Sequence, residues 1–203
     1  MSFVAIILSY LIGSVSFGYL LGKYGRGIDV REHGSGNVGT TNILRTLGFL
    51  PAALVLILDI AKGLVPVLLG IWLTGDPTIA MVCGIFAVLG HNWPLWFGLR
   101  GGRGIATSLG VILAFNPLAF VILFLFGLAI IFIFRYVSLA SVIGSAFFPL
   151  ILWVFRGSAT LETGRDVILL SVLLSALAIG RHKDNIGRLL KGTERKVGER
   201  AKY

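Results

Sequence analysis

The sequence predicts an all-α, polytopic integral membrane protein of about seven transmembrane helices, and three observations carry that prediction. Hydrophobic residues make up 56% of its 203 positions and charged residues only 13%, where a soluble domain carries about a quarter charged. Apolar runs recur at roughly the 20 residues a spanning helix needs, with no polar face alternating along them. The polar residues are gathered between the runs, in three clusters.

The elements follow in order. Segment one covers about 3–22 and ends at Lys23, Tyr24, Gly25 and Arg26. It lacks a basic leader, so a retained helix is expected and not a cleaved signal. A polar loop runs to about Thr46. Segment two, about 49–73, closes at Thr74-Gly75-Asp76-Pro77, a turn cluster. Segment three is about 78–90 and holds Cys83, the one cysteine, which excludes an intrachain disulfide and reads as packing. A polar stretch then runs from His91 to Arg103.

The next apolar stretch, 105–134, is too long for one crossing. Asn116-Pro117 divides it, because proline lacks an amide donor and disfavours helix in the residue before it. A short helix near 105–115 and a full one near 117–134 result. Arg135-Tyr136 suits the headgroup region. Segment six is about 137–155, and segment seven runs from Asp166 to about Gly180, before a basic tail from Arg181 to Tyr203.

Charge tests the count. With seven crossings one side receives Lys23, Arg26, Arg31, Arg45, Arg100, Arg103, Arg135, Arg181, Lys183, Arg188 and Lys191. The other receives the N-terminus, the Asp76 and Asn116-Pro117 turns, and a 156–166 loop. There Arg156 and Arg165 are balanced by Glu162 and Asp166. The positive-inside rule then predicts an outside N-terminus and a cytoplasmic C-terminus, with all three clusters on the cytoplasmic side. A single helix over 105–134 would put the tail opposite the first two polar loops. The net charge of +9 also suits anionic lipid or a phosphorylated substrate. Nucleic acid is not an expected partner, since no soluble basic domain or RNA-binding motif is present.

Each cluster holds one of the three histidines: His33, His91 and His182. The first is Gly34-Ser35-Gly36-Asn37-Val38-Gly39-Thr40-Thr41-Asn42, with Arg45 beyond. Glycines allow turns that aim several amides at one anion, and Ser, Thr and Asn add donors. It is not a P-loop, for the Gly-Lys-Ser/Thr ending is missing. The second runs from Gly90 through Arg100-Gly101-Gly102-Arg103-Gly104 to Thr107. Cations flanking a glycine pair at a helix start suit phosphate; Trp93 and Trp96 read as interfacial anchors. In the third, helical spacing gathers His182, Asn185 and Leu189, and sets Arg181 and Arg188 near Asn185. The stretch from Lys191 to Lys202 reads as a basic tail on anionic lipid. Asp59 and Lys62, at i and i+3 inside segment two, read as a pair or a site at membrane depth. No metal site is expected, because the histidines are far apart in sequence and lack nearby acidic partners.

Taken in order, the three clusters resemble the three signature motifs of the bacterial acyl-phosphate:glycerol-3-phosphate acyltransferases (the PlsY family), and the resemblance covers the whole chain. It implies a single seven-helix inner-membrane domain that transfers a fatty acyl group from acyl phosphate to the 1-hydroxyl of glycerol 3-phosphate, as the first acylation of phospholipid synthesis. Lysophosphatidic acid and phosphate would be the products, with no cofactor and a monomeric enzyme among membrane lipid. The resemblance implies that Ser35 and Arg45 are needed for activity, that Arg100 to Gly104 hold the glycerol-3-phosphate phosphate, that His182 and Asn185 are active residues, and that Glu194 is structural. With His91 these make the candidate catalytic set of Ser35, Arg45, His91, His182 and Asn185. The candidate substrate contacts are Gly34, Gly36, Asn37, Gly39, Thr40, Thr41, Asn42, Lys62, Arg100, Gly101, Gly102, Arg103, Gly104, Thr107, Arg181 and Arg188, with Asp59 structural. One departure is Arg103, where the family usually has Lys; phosphate attraction survives, but a lysine-specific proton donor would not. Trp93 and Leu99 replace more usual phenylalanines.

The hydroxyl proton has three candidate acceptors: His91, His182 and a substrate phosphate. Ser35 as a covalent nucleophile lacks a Ser-His-Asp order or nucleophile elbow, so direct transfer is expected. A transporter of an organic or phosphorylated anion is the competing class, although no inverted repeat is evident. A lipid-binding scaffold is the third.

Overall fold

The structure is a computed structural model that describes residues 1–161 and 166–199. Glu162, Arg165 and Lys202, which entered the charge and tail readings, lie outside the described residues. Among the described residues the regular structure is entirely helical. α1 (Ser2–Gly13) and α2 (Phe17–Arg26) are two halves bent by 42° at a short break. α3 (Thr40–Thr46) is a short helix lying before α4 (Phe49–Thr74), and α5 (Pro77–Asn92) and α6 (Ile105–Phe115) follow. α7 (Pro117–Phe134) and α8 (Val137–Val154) form a hairpin, and α9 (Asp166–Arg181) leads to α10 (Lys183–Leu190).

Local chemistry sets these ends. Asp76 caps α5, its carboxylate accepting from the Thr78 amide with Pro77 in the first turn. Asn116 both ends α6 and caps α7 by accepting from the Ala119 amide at 2.9 Å. Its own amide donates to Phe155 O, which ties this turn to the far end of α8. The break between apolar runs at Asn116-Pro117 is therefore real, and each of the seven apolar segments is helical.

Spanning capacity is uneven. Among the described residues four helices are long and apolar enough to cross a membrane, namely α4, α7, α8 and α5 taken with the short turn that carries it on to Phe97 (21 residues), or up to five if the bent α1–α2 pair counts as one span. At 11 and 16 residues, α6 and α9 are shorter. Large apolar side chains face outward, among them Trp72, Phe132 and Ile133, as lipid solvent requires. This is an all-helical, multi-pass membrane protein.

With lipid tails as apolar as leucine, helices gain by close approach. A Cβ on Gly63 of α4 would meet the Thr107 carbonyl, and one on Gly110 of α6 would meet the Ile60 carbonyl. The two glycines seat α4 and α6 backbone to backbone. At the α1–α2 break, Lys62 Nζ donates to Val15 O at 2.7 Å and pairs with Asp59 at 2.7 Å. Segment two thus satisfies a carbonyl that the broken helix leaves free.

Candidate functional site

The three clusters meet around one cavity of about 500 Å³. Its polar end is built from Ser35, Asn37, Gly39, Thr40, Thr41, Asn42 and Arg45 of the first cluster, with His91, Arg103 and Gly104 of the second. The third contributes His182, Asn185 and Glu194, and Asp59 reaches the wall from α4. Mostly apolar residues of α4, α6, α7, α8 and α9 line the rest, with Ser141, Ser145 and Ser175 among them.

The first loop is held by Asn42. Its side chain accepts from the Ser35 amide at 2.8 Å and donates to the Val30 and His33 carbonyls. Gly34 and Gly36 take positive φ, +65° and +68°, to turn the loop, and neither lines the cavity. Asn37 accepts from the Gly39 amide at the N-cap of α3, and Arg45 stands in the last turn of that helix.

The third cluster is organised by Glu194, buried at the cavity edge. Its carboxylate accepts from Ser138 Oγ at 3.0 Å, Asn185 Nδ2 at 2.8 Å and Arg188 Nε at 2.7 Å. Burial alone would raise its pKa, but these hydrogen bonds outweigh burial and hold the carboxyl below its ordinary value. Asn185 is thereby fixed through its amide, leaving its Oδ1 without a hydrogen-bond partner among the described residues. Thr40 Oγ1, Ser108 Oγ and Ser175 Oγ on the same wall are likewise unpartnered. Unsatisfied buried polar atoms around a cavity mark a place where a polar ligand is wanted.

His182 is set at the junction of α9 and α10. Its Nδ1 lies 2.7 Å from Ala178 O, and a carbonyl can only accept, so Nδ1 carries the hydrogen and Nε2 keeps its lone pair. Burial pushes its pKa down to about 4, which leaves a neutral imidazole at ordinary pH. Arg45 and Arg103 are also lowered, chiefly by burial, and among the described residues neither is in an ion pair. Two desolvated, unpaired guanidinium groups on one wall are seats for an anion.

His91 is placed differently. Its Nδ1 lies 3.8 Å from Asp59 Oδ1, so the acidic neighbour that sequence separation hides is supplied by α4. A Cβ on Gly102 would strike the Nε2 edge of the ring, and the Gly102 amide donates to His91 O at 3.0 Å. Both ring nitrogens are turned to the protein, and the ring is a wedge under the Gly101–Gly102 loop. Arg181 closes that loop from outside, donating to Gly102 O at 2.9 Å and Asn92 O at 3.3 Å and stacking over Trp93.

Several expected contacts are therefore not at the cavity wall. Gly101, Gly102, Lys62, Thr107, Arg181 and Arg188 are engaged in packing, ion pairs or loop bonds behind it. Arg100 faces a separate surface pocket beside Arg31 and Trp96. Conversely, the tail turns out to be part of the site. Arg45 donates to Arg195 O, Arg195 donates to Gly34 O, and Val197 exchanges hydrogen bonds with Arg135. Ser138 on α8 was not anticipated, because it sits inside an apolar run with no local motif.

Known proteins resemble this chain in sequence and fold. The family model described as glycerol-3-phosphate acyltransferase matches residues 3–192. Glycerol-3-phosphate acyltransferase of Thermoanaerobacter pseudethanolicus is 46% identical over 194 residues, covering 96% of this chain and 94% of that one. The protein of that name from Desulforamulus reducens is 44% identical over 195 residues, again covering 96% and 94%. A crystal structure of PlsY (YgiH), an integral membrane glycerol 3-phosphate acyltransferase in its glycerol 3-phosphate form, superposes with a TM-score of 0.88 at 40% identity. It covers 97% of this chain and 96% of that one. A lysophosphatidic acid form of PlsY gives 0.87 at 39% identity, covering 98% and 96%. The chain belongs to the glycerol-3-phosphate acyltransferase family.

Proposed function

We propose that this chain transfers a fatty acyl group from acyl phosphate to the 1-hydroxyl of glycerol 3-phosphate, giving lysophosphatidic acid and phosphate. The observation that carries this reading is the cavity's two-part wall: unpaired guanidinium groups and unsatisfied polar atoms at one end, a lipid-like groove at the other. That division matches a small phosphorylated acceptor meeting a long-tailed donor. The names of the relatives support the acceptor, and the lysophosphatidic acid form of PlsY supports the product.

In this mechanism Arg45 and Arg103 hold phosphoryl groups, and Ser35, Thr40 and Thr41 add donors from the first loop. The C1 hydroxyl oxygen attacks the acyl carbonyl carbon, and the bond from that carbon to the phosphate oxygen breaks. Phosphate leaves with the electron pair, stabilised by the guanidinium groups. His182 Nε2 takes the hydroxyl proton, and Asn185 Oδ1 orients the hydroxyl. A bound phosphoryl dianion raises the histidine from its low value toward working range. Ser35 forms no acyl-enzyme, and most of the rate gain comes from positioning two anions. Glu194 acts structurally, through Asn185 and Arg188.

The same reading gives one domain, monomeric in the bacterial inner membrane, with seven crossings formed by α1–α2, α4, α5, α6, α7, α8 and α9. The site then opens to the cytoplasm. Single cysteines at Asp76 and Lys191 in a Cys83→Ser background should label from opposite sides; same-side labelling defeats the topology.

The functional test is direct. Purified protein given both substrates should release phosphate and lysophosphatidic acid, and neither substrate alone should do so. Flux of glycerol 3-phosphate without chemistry would mark a transporter, and equal turnover of acyl-CoA would remove acyl phosphate as the specific donor. Label retained on Ser35 after acyl phosphate alone would sink direct transfer.

A further inference from the structure

The polar end accounts for only part of the cavity. The remainder runs inward along the α7–α8 hairpin, and two glycines line it. Gly127 stands eight residues before Arg135 and Gly144 eight after Tyr136, so in the antiparallel hairpin they lie level, about 12 Å from the turn. The Phe126 and Phe147 rings meet edge to face across the hairpin with centroids 5.9 Å apart, which holds the two helices within about half a turn of that register.

These glycines differ from those at the α4–α6 crossing. A Cβ at Gly127 or Gly144 meets nothing within 4 Å, so neither is needed for backbone approach. Glycine inside a helix costs about 1 kcal/mol relative to alanine, and what it leaves here is open groove. Four residues deeper on each helix, Leu123 and Phe148 are again level, about 18 Å from the turn. Both are buried, at 7% and 4% exposed, and the cavity wall ends with them. Leu128 lines the cavity yet is 47% exposed, so the groove opens sideways toward lipid.

We infer that this groove is a length gauge for the acyl tail: Gly127 and Gly144 form the notch in which the tail lies, and Leu123 and Phe148 form the stop that sets which tails fit. The inference rests on the acyltransferase reading for the identity of the tail. The stop lies about 18 Å along the helices from the hairpin turn, of the same order as one leaflet, about 15 Å as half of a roughly 30 Å hydrocarbon core. A tail longer than the stop allows must leave past Leu128 into the bilayer.

The experiment compares kcat/KM for hexadecanoyl phosphate and octanoyl phosphate in the parent protein and in Gly127→Leu, Gly144→Leu and Phe148→Ala. Leucine at either glycine fills the notch, and the long-to-short ratio falls about tenfold or more, with KM for glycerol 3-phosphate unmoved. Alanine at Phe148 lowers the stop, and the ratio rises. Because Phe148 is a core residue, the leucine variants carry the test should that one misfold. A second readout needs no turnover: hexyl-, decyl- and hexadecyl-phosphonate should raise the melting temperature progressively up to a plateau, reached at a shorter chain in the leucine variants. A parent that turns over while both readouts stay within about twofold of it in every variant overturns the gauge. A shifted plateau without turnover in the parent keeps the gauge and overturns the acyltransferase reading.

Discussion

The second and third clusters have nearly the same residue types, arginines, a histidine, an asparagine and glycines at a helix end, yet they use them in opposite ways. In the second, His91 and Gly102 fit against each other, Asn92 O accepts from Arg181, and the cation that reaches the cavity beside the ring's edge is Arg103, next to Gly104. In the third, Glu194 supports its neighbours from the cavity edge, and His182 and Asn185 face the cavity. A cluster's composition therefore states what it can bind, while its backing decides which atoms are free to do so. One cluster is mainly a mould; the other is mainly a working face.

The largest test of that difference sets two arginines three residues apart against each other. Arg103→Ala should lower kcat/KM about a hundredfold, the loss seen when one stabilising donor is removed from a reacting anion. Arg103→Lys should recover most of it, since phosphate attraction needs charge more than a fork. Arg100→Ala, out on the surface pocket with Arg31, should change kcat/KM by less than about threefold, an electrostatic steering effect that fades with salt. Equal losses at both positions would erase the distinction.

A smaller effect probes the mould. Gly102→Ala drives a methyl into the His91 ring and should cost about 1–3 kcal/mol of stability, the usual range for overpacking. Replacing His91 with Ala as well removes the obstacle. The double variant should then be more stable than the sum of the two single losses allows, a coupling on the order of 1 kcal/mol in thermal unfolding. Strict additivity would show that the ring does not support the loop.

How far the sequence foretold this is a matter of range. The helices were legible because their cause is local: a run of apolar residues, an Asn116-Pro117 break, an Asp76 cap. Ser35, Arg45, His182 and Asn185, singled out from short motifs at helix ends, all line the one cavity. Lys62 and Thr107 lie off the cavity wall for a different reason. Lys62 is drawn to the Val15 carbonyl, 47 residues away, and Thr107 is pinned by the Gly63 crossing; neither partner is visible in the flanking sequence. The tail's hold on Arg45 and Gly34 was hidden the same way, because a basic stretch reads as lipid-binding until the fold brings it back over the site.

Acid should separate the clusters next. His182 is depressed to about 4 from an ordinary 6.5. Between those values the unfolded chain binds more protons than the folded one, so stability is full above about pH 6.5 and falls as pH drops toward 4. The melting temperature should decline by on the order of a few degrees across that window. His182→Gln should flatten the decline. If the decline persists in that variant, some other group titrates.

The smallest expected effect is at Glu194. Glu194→Gln keeps an acceptor for Ser138 and Asn185 but weakens the bond from Arg188, whose side chain is 41% exposed and already shared with water. Solvent screening limits the loss to about 1 kcal/mol. The carboxyl is held below its ordinary value in the folded protein, so its contribution is present above about pH 4.3 and lost as pH falls through the lower folded value. That window lies below the one set by His182, so the two variants should flatten different limbs of one stability curve. If the glutamate acts only by holding Asn185, the Gln variant keeps KM for glycerol 3-phosphate nearly unchanged and Glu194→Ala raises it. If both variants lower kcat alike with KM unmoved, the carboxylate is itself part of the chemistry, and the third cluster has no separate backing.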